Sequence, residues 1–395
     1  MKRGKTSKLF VIIGSLDLGG TENHLCRIMP KLQGHGLDIS VVAFRSRGIL
    51  ANEMERQNVP VLSPPPLKWI LHQKFIRRVF IFFWLGATLA RGRPNIIHFF
   101  LPEAYLLGGL WSSLLRIPFR IMSRRSLNFY QQRHPLGAWL ERRLHKTVNV
   151  LLGNSRAILR DLEKENTNST ARIELIYNGI DPKEFIKKRR PDEVRQELKI
   201  PEQAFVFINV ANFISYKGHK DLLEALGEVN NKLPYPWRLI CVGRNDGILN
   251  SLEQTAERLG ISQNVIWLSS RRDTYDLMRA SDVGISSSHE EGLSNSVLEG
   301  MALGLPMIVT DVGGNPELIT DGETGLVVPE RNPSLMGRAC VHLARNASLR
   351  KSMKQAGEKR ALSKFSMEAC VSSYFQLYNS LTSSGETWCG SKCVE

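Results

Sequence analysis

Short continuous runs of apolar residues, each followed by a longer mixed segment, recur along the whole chain. They lie at residues 8–14, 38–44, 95–100, 119–123 and 148–154, and again at 204–212, 237–243, 264–269, 282–288, 306–311 and 325–329. Runs without polar alternation are typical of strands buried on both faces of a parallel sheet. Helix-like stretches such as residues 21–34 and 136–146 lie between them. The alternation predicts an α/β protein with two doubly wound, Rossmann-like domains.

The domain organisation follows from length and from one charged stretch. A chain of 395 residues is too long for one compact core and suits two domains. The charged stretch at residues 187–203 is interpreted as a linker and the first helix of the second domain. The predicted domains are therefore residues 1–190 and 191–365.

Positive charge is concentrated in the first half of the chain. Residues 1–200 hold 34 Lys and Arg against 16 Asp and Glu, whereas residues 201–395 hold 19 against 22. Such asymmetry predicts an anionic partner for the first half, either a membrane surface or a nucleic acid.

Simple counts argue against a membrane-spanning protein and against a zinc-binding one. The longest membrane-like run, residues 79–90, is far below the roughly 20 residues that a spanning helix needs. The six cysteines are scattered without zinc-ligand spacing, which indicates free thiols in a reducing compartment.

The turn after the first predicted strand contains Gly19 and Gly20, which allow a sharp turn and a close approach to a ligand. Thr21 is predicted to cap the helix that follows. The segment lacks the G-x-G-x-x-G pattern of dinucleotide-binding domains. Taken alone, it is better explained by a tight turn that binds no ligand.

Lys217 follows the first strand of the second half and stands beside Gly218. A lysine at the carboxyl end of a parallel strand is well placed to neutralise phosphates. An isolated lysine is more often a solvated surface residue, so this interpretation depends on its neighbours.

The stretch HEEGLSNSVLEGMALGLP, residues 289–306, carries two acids around a helix start. Ser294, Asn295 and Ser296 predict a helix from about residue 295 to 303. A helix start exposes N–H groups that bind phosphate. Gly292 permits close approach of a ligand, and Glu291 and Glu299 could accept hydrogen bonds from sugar and ribose hydroxyls. The alternative is a capped helix with two solvated acids.

Residues 282–329 closely resemble the nucleotide-binding segment of family 4 glycosyltransferases, which are retaining enzymes of the GT-B fold. The shared features are two acids separated by seven residues, a Gly after the first acid, GLP before a strand, and the GGNPE and DGETG turns. GGTE at residues 19–22, NGID at 178–181 and the Lys217 loop follow the family's order, so the resemblance covers nearly the whole chain.

The resemblance implies roles for individual residues. Glu299 would hold the ribose of a nucleoside diphosphate, for which UDP is the expected carrier, and Glu291 would bind hydroxyls of the donor sugar. The backbone N–H groups of Leu293, Ser294 and Asn295 would face the sugar and the diphosphate.

On the same resemblance, Lys217 would stabilise the leaving diphosphate, and the Gly19–Gly20 loop would approach it. Members of the family usually need no metal ion, and none is expected here.

Two positions depart from the family's pattern. Asn212 stands where many members carry an Arg, so diphosphate neutralisation would be weaker or would involve Arg244. Many members have two His residues flanking one residue, whereas this chain has His98 and then Phe100. His98 is either catalytic or a buried, hydrogen-bonded residue of the first domain.

The resemblance also gives the basic half a use, because the family's first domain binds the acceptor, often a lipid-linked sugar. Residues 64–147 hold 14 Lys and Arg, two acids and interleaved aromatic residues. Such a surface suits an anionic membrane face. We therefore expect a peripheral enzyme of polysaccharide or lipopolysaccharide biosynthesis on the cytoplasmic face, with no nucleic-acid partner. A helix at about residues 366–381 would complete the first domain, and residues 382–395 would form a flexible tail.

Three alternatives stay open. A nucleotide-sugar epimerase of the same fold would release a free epimer without an acceptor. A nucleic-acid-binding protein would use the basic half, although the sequence has no helix-turn-helix, zinc-finger or RNA-recognition signature. A catalytically inactive relative could act as a scaffold.

Overall fold

A computed structural model of the chain describes residues 7–65, 74–127, 131, 134–166, 169–185 and 189–382. The chain forms two compact units: unit 1 comprises Met1–Gly179 with Met367–Glu395, and unit 2 comprises Ile180–Ser366. The predicted tail lies outside the described residues beyond Thr382. Every strand predicted from the sequence overlaps an observed strand, and the predicted α/β class is confirmed.

The strands and helices alternate as the apolar runs predict. The strands are β1 Lys8–Ser15, β2 Asp38–Ser46, β3 Val61–Leu62, β4 Ile96–Phe100, β5 Phe119–Arg124, β6 Val150–Gly153, β7 Arg172–Leu175, β8 Phe205–Val210, β9 Trp237–Val242, β10 Val265–Leu268, β11 Val283–Ser286, β12 Met307–Thr310 and β13 Gly325–Val328. The helices are α1 Gly20–Gly34, α2 Ala51–Arg56, α3 Lys74–Gly92, α4 Pro102–Leu114, α5 Pro135–His145, α6 Arg156–Glu165, α7 Pro191–Glu197, α8 His219–Glu228, α9 Leu249–Arg258, α10 Thr274–Arg279, α11 Asn295–Ala302, α12 Asn315–Leu318, α13 Pro333–Arg345, α14 Ala347–Lys364 and α15 Met367–Thr382.

Unit 1 contains a parallel sheet with the strand order β3-β2-β1-β4-β5-β6-β7. Alternate residues of its strands enter two hydrophobic clusters on opposite faces. One cluster joins the sheet to α1, α2 and α15, and the other joins it to α3, α4, α5 and α6. Both faces are thus covered, which explains why the strands read as unbroken apolar runs.

Unit 2 contains a second parallel sheet with the strand order β10-β9-β8-β11-β12-β13. Its core includes buried residues of α8, α9 and α13 packed on the sheet. The chain segment before α7 belongs to this unit, because the Arg279 guanidinium donates to the Phe185 carbonyl and Arg189 pairs with Glu197 and Asp273. The unit boundary therefore falls after Gly179 rather than after residue 190.

The last described helix, α15, belongs to unit 1. It packs against α1, and its Tyr374 and Tyr378 side chains are almost fully buried. The Tyr374 hydroxyl lies 3.4 Å from His24 Nε2. The helix that the sequence predicted at residues 366–381 thus contributes to the core of the first unit.

Candidate active site

Strand order places two loops of unit 2 side by side. Strands β8 and β11 are neighbours in the sheet although two strands lie between them in the sequence. In open parallel sheets such a switch point leaves a crevice at the carboxyl ends of the strands, where ligands bind. The loop after β8 carries Lys217, and the loop after β11 carries Glu291. Two residues singled out from the sequence therefore meet at one crevice.

Lys217 and Glu291 form an ion pair, with 2.6 Å between Nζ and Oε1. Their side chains are 19% and 11% exposed, so the pair is mostly shielded from water. Burial alone would lower the pKa of Lys217, but the facing Glu291 carboxylate outweighs burial and raises it. Ser288 Oγ also donates to Glu291 Oε1, at 2.9 Å. The crevice therefore holds a fixed cation next to a fixed anion.

Close backbone contacts hold the two loops together. Gly218 has φ of 66°, and a Cβ at this position would lie 1.9 Å from the Ser287 carbonyl oxygen. Ser287 Oγ donates to the Lys217 carbonyl oxygen at 2.9 Å. The His289 backbone N–H donates to the Tyr216 carbonyl at 2.7 Å. Only glycine fits at position 218. The close contact that it allows fixes the position of Lys217 relative to the Glu291 loop.

A third loop, which contains Gly313 and Gly314, contacts the backbone of Glu291 and Gly292. Gly313 has φ of 54°, and a Cβ there would lie 1.8 Å from the Glu291 carbonyl oxygen. The Gly314 N–H donates to the Gly292 carbonyl at 2.8 Å. The GGNPE turn, which was part of the family resemblance, thus acts as the support of the Glu291–Gly292 segment.

Helix α11 begins at Asn295 as predicted, with Ser294 as its N-cap. Ser294 Oγ accepts a hydrogen bond from the Val297 N–H at 3.4 Å. Leu293 is 6% exposed and anchors the turn before the cap. Glu299 lies in the second turn, where Tyr275 Oη donates to its Oε1 at 3.3 Å. The helix start and both acids therefore stand at the carboxyl edge of the sheet, as the sequence indicated.

A hydrogen bond joins the Asn212 side chain to the Arg244 backbone. Asn212 Oδ1 accepts from the Arg244 backbone N–H at 3.2 Å. The Arg244 guanidinium is paired with Asp246, at 2.7 Å and 3.1 Å. In this structure Arg244 is therefore engaged by a carboxylate of its own loop, and Lys217 is the cation that faces Glu291.

Sequence reasoning missed a second side-chain contact at the crevice. His289 Nε2 lies 2.8 Å from Asp221 Oδ2, which ties the Glu291 loop to the first turn of α8. These residues are 68 positions apart, and neither belongs to a spacing pattern. The only sequence signal was the position of His289 directly before Glu290 and Glu291.

In unit 1, Gly19 and Gly20 follow β1 and open α1, as predicted. The predicted cap at Thr21 is wrong. Gly19 is the N-cap, and no side chain caps this end of the helix. A Cβ on Gly19 would lie 2.3 Å from Glu22 Oε2, so the glycine leaves room for the acidic side chain of the first turn.

His98 lies fully buried in unit 1, in the middle of β4. Its Nδ1 is 2.8 Å from the Tyr378 hydroxyl, and its Nε2 is 2.7 Å from Ser123 Oγ. Burial, aided by the charge of Arg125, lowers the pKa of His98 well below its usual value. The Phe100 ring packs against the imidazole, with 4.3 Å between centroids. This geometry favours the structural interpretation of His98 over the catalytic one.

None of the described helices is long and apolar enough to cross a membrane. No group of three or more His, Cys, Asp and Glu side chains in the described ranges is arranged to hold a metal ion.

Comparison with known proteins agrees with this geometry. The family model for glycosyl transferases group 1 matches residues 191–360, and the model for glycosyltransferase family 4 matches residues 18–184. The chain belongs to this glycosyltransferase family.

Individual relatives are between a quarter and a third identical to the chain over the segments that align. A D-inositol 3-phosphate glycosyltransferase of Corynebacterium jeikeium is 26% identical, over 94% of both chains. The lipopolysaccharide glucosyltransferase WaaG of Escherichia coli is 29% identical, over 47% of this chain and 50% of its own. The chain spans only about half the length of several curated relatives, 48% and 53% in two cases.

Among solved structures, HepE of Anabaena in complex with UDP and glucose superposes with a TM-score of 0.83. The match covers 95% of this chain and 100% of that one, at 19% sequence identity. At this identity the likeness establishes the fold, which is GT-B.

Proposed function

We propose that the chain is a retaining glycosyltransferase that moves a sugar from a nucleoside diphosphate sugar to a saccharide or lipid-linked acceptor. The observation that carries the proposal is the Lys217–Glu291 pair at the switch point of unit 2, next to the start of α11. Together these groups offer one cation, one anion and a row of helix N–H groups within one crevice.

Each group suits one part of the donor. The diphosphate binds to the N–H groups at the start of α11 and to Lys217, because a helix start and a shielded cation both favour negative charge. Glu291 accepts hydrogen bonds from hydroxyls of the donor sugar. Glu299 accepts hydrogen bonds from the ribose hydroxyls. The Tyr275 hydroxyl donates to Glu299 Oε1 and so orients this carboxylate. Lys217 stabilises the diphosphate as it leaves, without a metal ion.

UDP is the proposed carrier. The support comes from HepE, whose solved complex contains UDP and glucose, and from the shared fold. The relative named as a lipopolysaccharide glucosyltransferase supports a role in lipopolysaccharide or polysaccharide biosynthesis.

Unit 1 is proposed to bind the acceptor at an anionic membrane surface on the cytoplasmic side. Helices α3, α4 and α5 pack side by side on one face of its sheet. Large apolar side chains on them face solvent: Phe75 is 78% exposed, Phe83 60% and Leu114 70%. Arg77 and Arg78 on α3 lie close enough to Arg45 to help lower its pKa, after the larger effect of burial. Apolar side chains beside clustered cations suit the interface of an anionic bilayer.

The test is hydrolysis and transfer across UDP-, GDP-, ADP- and dTDP-sugars. One nucleotide should be selected, and Glu299→Ala should raise the donor KM on the order of tenfold or more, as expected for lost hydrogen bonds to a charged group. Glu228→Ala, an exposed acid at the end of α8, is the matched control and should leave KM unchanged. The product should keep the anomeric configuration of the donor. No turnover of any nucleotide sugar, or inversion, would contradict the proposal.

A further inference from the structure

Unit 1 has a pocket at the C-terminal end of α5. Its volume is about 340 Å³. The side chains that line it include Trp139, Arg142, Arg143, His145, Lys146 and Glu165. None of these residues belongs to the proposed donor site.

Three cations stand at the rim of the pocket. The side chains of Arg142, Arg143 and Lys146 are exposed, and none forms an ion pair with a carboxylate of the described residues. The Arg143 guanidinium stacks over the Trp139 ring, 5.0 Å from its centroid. The C-terminal carbonyls of α5 favour cations at this end of the helix, which keeps the three charges together.

The inner wall of the pocket is formed by buried side chains. His145 is 1% exposed, and its Nδ1 lies 3.2 Å from the Tyr105 hydroxyl. Its Nε2 has no hydrogen-bond partner among the described residues and lies 3.6 Å from Glu165 Oε2, too long for a normal hydrogen bond. The buried imidazole in the pocket wall thus faces the Glu165 carboxylate.

The acid in the wall, Glu165, is held by a buried guanidinium. Glu165 is bound by the buried Arg124 guanidinium through both oxygens, at 2.9 Å and 2.8 Å. Burial alone would raise the pKa of Glu165, but the His145 and Arg124 side chains lower it to about 2. The Arg124 guanidinium also pairs with the buried Glu141 carboxylate at 2.6 Å, so it holds both acids inside the protein, while the rim cations face solvent.

Topology separates this pocket from the carboxyl edge of the sheet. Helix α5 connects the parallel neighbours β5 and β6, so it runs back along the sheet and ends where β6 begins. Ser169 lies just before β7 and its Oγ donates to the His145 carbonyl, which places it at the same edge. The Gly19–Gly20 turn stands at the opposite edge, where β1 ends.

An apolar strip leads to the pocket along α5. Leu136 and Trp139 are 78% and 50% exposed and share a helix face with Arg143. A helix that lies at a bilayer interface places apolar and aromatic side chains in the interface and its cations on lipid phosphates. One face of α5 carries this arrangement.

We propose that this pocket binds the phosphate group of an anionic lipid headgroup, with Leu136 and Trp139 entering the interface beside it. The proposal rests on the membrane location given in the proposed function and names the residues that contact the lipid phosphate.

The test is flotation of the full chain with phosphatidylcholine vesicles that contain phosphatidylglycerol. Arg143→Ala with Lys146→Ala should weaken binding on the order of tenfold or more, since each cation near the surface contributes substantially. Lys31→Ala with Arg56→Ala removes two charges from exposed positions on α1 and α2, which cover the other face of the sheet, and should change binding less than about threefold. Arg143→Lys with Lys146→Arg should retain binding.

Equal losses in the two alanine pairs would overturn the proposal, because general attraction would then explain the binding. Glycerol 3-phosphate is the soluble probe. If it binds as tightly as the vesicles and displaces them, the pocket is a site for a soluble phosphate and the lipid assignment fails. Donor hydrolysis should be unchanged in all three variants. Absence of hydrolysis in the unmodified chain would refute the proposed function but leave the flotation result standing.

Discussion

Replacing Lys217 by methionine removes the charge that faces Glu291 while keeping a side chain of similar length. The Glu291 carboxylate, 11% exposed, keeps the Ser288 hydroxyl at 2.9 Å as a donor. Orphaning one member of a buried ion pair costs about 3–5 kcal/mol, and we expect about 3 kcal/mol because water reaches this pair. Glu291→Gln should cost less, about 1–2 kcal/mol, because the amide oxygen still accepts from the ammonium.

A double-mutant cycle tests this reasoning. The double variant should be less destabilised than the sum of the single variants by about 1–3 kcal/mol, measured by denaturant unfolding of unit 2. Lys220 and Glu224 form the matched control pair, at 3.7 Å and with 65% and 32% exposed side chains. Their cycle should give only about 0.3–0.5 kcal/mol. Additive effects of Lys217→Met and Glu291→Gln would refute the structural account of the crevice.

Three further predictions concern single positions. Gly218→Ala should cost about 3 kcal/mol or more and abolish donor binding, because φ is 66° and the new Cβ overlaps Ser287, whereas Gly260→Ala, at φ 68° in open space, should cost about 1 kcal/mol. Folded His98 stays neutral, whereas the unfolded residue takes up a proton below pH 6.5. The free energy of unfolding should therefore fall on acidification by up to about 1.4 kcal/mol per pH unit because of this residue. His98→Gln should remove that contribution when unfolding is measured as a function of pH. The lowered pKa of Glu165 contributes stability above pH 4.5 that is lost toward pH 2, so Glu165→Gln should flatten acid unfolding over that interval, and an unchanged acid profile would contradict the buried network.

The fold was largely predictable because both sheets are covered by helices. Burial on two faces leaves unbroken apolar runs, and every run that was predicted to be a strand overlaps an observed strand. The two strands that were missed lack this signal. Strand β3 has two residues, and β7, with the sequence RIEL, is an edge strand with a burial pattern open to solvent. Edge strands carry polar residues that hide them from a search for apolar runs.

The candidate site was predictable where a motif fixes local backbone. The start of α11 and the positions of Glu291 and Gly292 follow from caps and glycines within one short segment. The pairings were not predictable, because Lys217 and Glu291 are 74 residues apart and meet only through strand order. The role of His98 could not be decided either, since its partner Tyr378 is 280 residues away and comes from the last helix.

The most direct test of the central claim is a crystal structure of the chain with UDP. The account predicts the diphosphate within hydrogen-bond distance of Lys217 Nζ and the N–H groups at the start of α11, with the ribose hydroxyls on Glu299. Nucleotide bound elsewhere, or a diphosphate that leaves Lys217 on Glu291 and untouched by phosphate, would contradict it.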